Sequence, residues 1–81
     1  MKANNENNSI LMKLSAEEAL VLLEWLHKFN ELEHLALFED QAEERILFDL
    51  EAELETVISD TFSSNYQELL LMARQKIRDT E

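Results

Sequence analysis

The 81-residue chain contains no cysteine, no glycine and no proline. Lacking cysteine, it has no disulfides, no thiolate metal ligands and no cysteine nucleophile, which fits a reducing compartment. Lacking glycine, it offers no phosphate-cradling loop, and β-hairpins closed by Asn-Gly or Asp-Gly turns become improbable. With proline also absent, neither of the two strongest helix breakers punctuates the backbone. Positive charge is scarce: 7 Lys and Arg stand against 18 Asp and Glu, for a net charge of −11. Long apolar runs are missing as well. The run at residues 19–23 is five long, far below the roughly 20 needed to span a bilayer. Ile10-Leu11-Met12 is too short for the apolar core of a signal peptide. These absences predict a cytoplasmic, all-α protein with no membrane segment and no direct nucleic-acid binding.

What remains is 46% hydrophobic, enough to fold despite the acidity. A chain this short buries only roughly 60 to 65% of its unfolded surface, so self-association would relieve a thin core. The first nine residues carry Asn at 4, 5, 7 and 8 and too little apolar surface to offset their ordering entropy. We expect residues 1–13 to be a disordered tail and residues 14–81 a single helical domain.

Leu14-Ser15-Ala16-Glu17-Glu18-Ala19 reads as a capping box, with Ser15 as N-cap and Glu18 returning the bond, so helix 1 starts at about Ala16. At 100° per residue, Leu20, Leu22, Leu23, Trp25, Leu26 and Phe29 share one arc, wider than a single neighbouring helix covers. That width predicts a homodimer. A frayed connection over residues 31–38 follows, with Asn30 as a candidate left-handed cap. Asp40-Gln41-Ala42-Glu43 reads as a second capping box, after which Ala42, Ile46, Leu47, Leu50, Leu54, Val57 and Ile58 recur at spacings of three and four. Helix 2 should end near residues 59–62, where Ser, Asp and Thr compete for the backbone. Ser64 with Gln67 reads as a third box, opening a helix over residues 65–78. Its stripe is Tyr66, Leu69, Leu70, Ala73 and Ile77, and Arg74, Lys76 and Arg78 stand near the negative end of its dipole. The expected fold is therefore a short three-helix bundle, or a helical hairpin with a third helix packed on it. Arg45 should pair with Asp49 one turn on.

At residues 14–26 and again at 38–51, the latter Phe-Glu-Asp-Gln-Ala-Glu-Glu-Arg-Ile-Leu-Phe-Asp-Leu-Glu, the sequence resembles small acidic helical proteins of unknown function found in bacteria. The resemblance spans roughly residues 14–78 and implies a bacterial cytoplasmic setting. It carries no activity over to this chain.

Two constellations could carry chemistry. Both histidines follow a glutamate by three residues, as Glu24-Trp-Leu-His27 and Glu31-Leu-Glu-His34, and Glu-x-x-His is the half-site of ferritin-like di-iron proteins. Both tetrads lie on one segment, so a metal site built from Glu24, His27, Glu31 and His34 needs a dimer or acids from helix 2. The plainer reading is the polar edge of an amphipathic helix. The second constellation is the acidic surface: residues 17–60 hold 14 acids and 2 bases. Glu39, Asp40, Glu43, Glu44, Glu51 and Glu55 would meet a basic protein partner, or imitate duplex phosphates as a DNA mimic. The plainer reading is solubility. Helices this short rarely enclose a cavity of ~300 Å³, and no cofactor is implied. Together these point to a non-enzymatic interaction or regulatory module, with a DNA-mimic inhibitor or a dimeric metal protein as alternatives.

Overall fold

The computed structural model describes residues 1–34 and 36–79. It corrects the all-α expectation, and with it the three-helix-bundle architecture, because two antiparallel strands precede the helices. β1 (Lys2–Glu6) and β2 (Ser9–Lys13) pair with Glu6 opposite Ser9 and Lys2 opposite Lys13. The turn between them is Asn7-Asn8, with φ of 49° and 70°. Two successive left-handed residues make the hairpin turn whose twist matches the strands, and asparagine is the residue after glycine that best tolerates that conformation. The asparagines that suggested a tail thus supply the turn. The fold is α+β.

α1 (Ala16–Glu31) opens as predicted. The Ser15 hydroxyl accepts from the Glu18 N–H at 3.1 Å and Glu18 Oε1 accepts from the Ser15 N–H at 2.8 Å. The helix stops at Glu31 because Leu32 is extended, its N–H reaching back to the Phe29 carbonyl. Asn30 is a helical residue rather than a left-handed cap. α2 (Gln41–Val57) is capped by Asp40, whose carboxylate accepts from the Ala42 N–H at 2.8 Å; Glu43 closes on the Glu39 N–H instead of on Asp40. Arg45 does lie 3.6 Å from Asp49, an exposed pair that adds little stability. A 3₁₀ turn (Asp60–Phe62) leads to α3 (Tyr66–Arg78). The predicted Ser64–Gln67 box does not form: Asn65 is the N-cap, without a side-chain bond to the helix, and its amide oxygen accepts from the Ser63 hydroxyl.

α1 packs on both other helices. Leu20 meets Leu70 and Ala73 of α3, with Val21, Ile58, Tyr66 and Leu69 around them, and Leu23 and Leu26 of α1 are buried as well. Lys76 of α3 reaches Glu17 of α1 at 2.7 Å, tying the end of one helix to the start of the other and holding the Glu17 carboxyl below its ordinary range. α2 contributes no buried residue. The radius of gyration, 14.3 Å, exceeds the ~12 Å of a compact chain of this length, in keeping with an exposed hairpin that meets α1 through the Met1 ammonium and Glu18. Among the described residues no helix is long and apolar enough to cross a membrane.

Candidate functional site

Polar chemistry concentrates where the C-terminal half of α1 faces α2. Asn30 lies on the same arc as Leu23 and Leu26, seven and four residues earlier, so its amide is carried inward. Its Nδ2 donates to Glu51 Oε1 at 2.7 Å and to the Leu47 carbonyl at 3.3 Å. That bond, reinforced by His27, holds the Glu51 carboxyl below its ordinary value against the opposing effect of burial. His27, one turn before Glu31, bridges the helices: Nδ1 stands 3.1 Å from Glu51 Oε2 and Nε2 3.1 Å from Glu31 Oε1. A ring with a carboxylate at each nitrogen is best served by the imidazolium, which donates from both. The Glu51 contact accordingly raises the His27 pKa, aided by the charges of Glu31, Glu51 and Glu24 and opposed by partial burial.

A cleft of about 430 Å³ opens beside this pair, lined by Glu24, His27, Glu55, Thr61, Phe62 and Tyr66 among others. This is larger than the sequence led us to expect, and its walls come from α1, α2, the 3₁₀ turn and α3 together. The Tyr66 hydroxyl donates to Glu24 Oε2 at 2.6 Å. Burial, then the Glu24 carboxylate, push the phenol up to about 12. Glu24 also lies 3.7 Å from Lys28.

Of the four metal ligands read from the sequence, only His27 and Glu31 touch. Glu24 turns to Tyr66 and Lys28. His34 falls beyond the end of α1, so the shared helix edge stops short of it. It stacks on Phe29 instead, ring centroids 3.9 Å apart, in a group completed by Trp25 and Phe38. His34 Nε2 is buried with no hydrogen-bond partner among the described residues, and the ring serves there as an aromatic plate. A different trio converges: one ligand atom each from His27, Glu51 and Glu55 lies within 4.8 Å of the others. The six acids assigned to a partner differ in their surroundings. Asp40 and Glu43 are engaged in capping, Glu44 and Glu51 are half-buried, and Glu39 and Glu55 are exposed.

The sequence reading missed Asn30 and the role of Glu51. An amide on an otherwise apolar arc was the available signal, since such a group needs a polar partner from the facing helix. It also missed that the apolar stripe of α2 splits: Leu47, Leu54 and Ile58 turn inward, whereas Ile46, Leu50 and Val57 remain 63%, 38% and 78% exposed. Comparison with known proteins adds no relative: no family model, no curated protein and no solved structure matches the chain.

Proposed function

We propose that this protein is a non-enzymatic interaction module that docks a basic, amphipathic helical segment of another protein along α2. The observation that carries this reading is a helix of 17 residues without one buried side chain. Ile46, Leu50 and Val57, at spacings of four and seven, fall within about 40° of one another around the helix axis. Glu43 and Glu53 border this line on either side. An apolar strip edged by carboxylates suits a partner helix with an apolar stripe and flanking Lys or Arg, attraction steering the encounter and burial holding the complex. The carboxylates around the cleft add to the same field.

The test is a titration of isotopically labelled protein with a synthetic Leu/Lys amphipathic peptide, followed by amide shifts at low and raised salt. Shifts centred on Ile46, Leu50 and Val57 that weaken with salt are expected, and Ile46→Glu with Val57→Glu should abolish them. Shifts absent, or spread evenly over the acidic surface, would remove the α2 assignment.

A second reading, binding of a divalent cation, is favoured by the convergence of His27, Glu51 and Glu55. Imidazole with two carboxylates suits zinc, iron or manganese, and Asn30 would orient Glu51 from behind. Calorimetry with each metal on the chain and on Glu55→Gln decides it; equal heats for the two sink this reading.

A further inference from the structure

Within its own chain the hairpin is tied to α1 by the Met1 ammonium, 3.1 Å from Glu18, and no strand side chain is buried. All ten strand residues are exposed, and β2 presents Ile10, Leu11 and Met12 at 64%, 51% and 54% exposure. A lone two-stranded hairpin is marginally stable in water and needs a third strand or a covering layer. Here it is weakened further, because Lys2 and Lys13 stand directly opposite each other and like charges across a ladder repel.

The free edge has a definite chemistry. A two-residue turn makes Glu6 and Ser9 a hydrogen-bonded pair, so residues 9, 11 and 13 direct their backbone groups toward β1. Ile10 and Met12 therefore direct theirs outward, to nothing in this sheet. We propose that two copies of the chain join edge to edge through β2, forming a four-stranded antiparallel sheet with its two-fold axis at Leu11. In this register Ile10 bonds Met12 of the second copy, using all the outward groups of both residues. Leu11 faces its own counterpart in the close, non-hydrogen-bonded position, and Lys13 faces Ser9. Apolar side chains meet apolar side chains, and no like charges are opposed. A shift by one residue would turn every side chain to the wrong face.

Charge selects the second copy as occupant and the hairpin as contact. Residues 14–81 carry 17 acids and 5 bases, whereas residues 1–13 carry Lys2 and Lys13 against Glu6 alone. Two copies approaching by their helices set acid against acid. Approaching by the hairpins, they bring together the parts that are not acidic. This contact is separate from the α2 strip, so either assignment can fail without the other.

The absence of native cysteine makes the register directly readable. In Leu11→Cys the two thiols lie across the axis at a spacing that a disulfide spans with little adjustment. The full chain is expected to sediment as a dimer at high micromolar concentration, and Leu11→Cys to cross-link rapidly under mild oxidant. Ile10→Cys and Val57→Cys, whose thiols do not face their own copies in this register, should cross-link at least ~10-fold more slowly. Met12→Pro, which removes an outward N–H and leaves the hairpin's own bonds intact, should raise the dimer dissociation constant at least ~10-fold with the helical circular dichroism unchanged. A monomeric wild-type chain, or a dimer that Met12→Pro leaves intact, or faster cross-linking through Val57→Cys than through Leu11→Cys, each overturns the proposal.

Discussion

Replacing Asn30 by alanine tests how α2 is held. α2 has no fully buried side chain, so the polar links to α1 should carry an unusual share of its attachment. Asn30→Ala removes two of them. The bond to the Leu47 carbonyl is long, at 3.3 Å, and contributes about 0.5 kcal/mol. The bond to the Glu51 carboxylate, at 2.7 Å, is charge-assisted and in a sealed site would contribute about 1.5–3 kcal/mol. Asn30 is only half-buried, and water replacing the amide roughly halves that figure, so a loss of about 1–2 kcal/mol is expected. Against the ~4–12 kcal/mol typical of a domain this size, that is a sizeable fraction, equivalent to about 5–15 °C in melting temperature. Urea unfolding of Asn30→Ala, Glu51→Ala and the double variant, closed as a cycle, isolates the pair from the contact of Glu51 with His27. A coupling near 1 kcal/mol is expected. One inside the ~0.3–0.5 kcal/mol scatter of independent sites would show that α2 is held without this bond, and the reasoning would fail.

His27→Ala should reveal a pH-dependent contribution: a histidine whose folded pKa is raised above 6.5 stabilises fully below that value and loses the contribution as pH rises through the folded pKa. The gap in urea midpoint between wild type and His27→Ala should therefore be wider at about pH 6 than at about pH 9, and an equal gap refutes the pairing with Glu51 and Glu31. Leu70→Ala should destabilise by about 2–5 kcal/mol, because Leu70 is 1% exposed at the centre of the α1–α3 contact; a melting curve that barely moves would place the core elsewhere. Tyr66 is the single tyrosine, so absorbance titration reads it alone. Ionisation near 12 is expected, falling toward the ordinary value of about 10 in Glu24→Gln, and an unchanged titration would sever Tyr66 from Glu24.

Local signals were legible in the sequence because they act within a few residues. Ser15 and Glu18 close a capping box that depends on nothing outside one helical turn, Asp40 caps α2, Arg45 reaches Asp49, and the stripe of α3 follows from the 3.6-residue repeat. Composition alone also established the acidity and the absence of long apolar runs. The hairpin was hidden because its usual turn residue, glycine, is missing, and Asn7-Asn8 resembles solvated tail until its φ angles are seen. Tertiary structure decided the rest. Periodicity says which residues of α2 share a flank, but only packing against α1 decided that Leu47 and Leu54 turn inward while Ile46 and Val57 stay outside. Partners 24 and 42 residues apart, His27 with Glu51 and Tyr66 with Glu24, leave no local pattern, since each side chain is chosen by the helix that happens to face it. The histidines show the division most plainly. The sequence set both behind a glutamate at the same spacing, yet α1 ends between them, so His27 meets a carboxylate and His34 an aromatic ring.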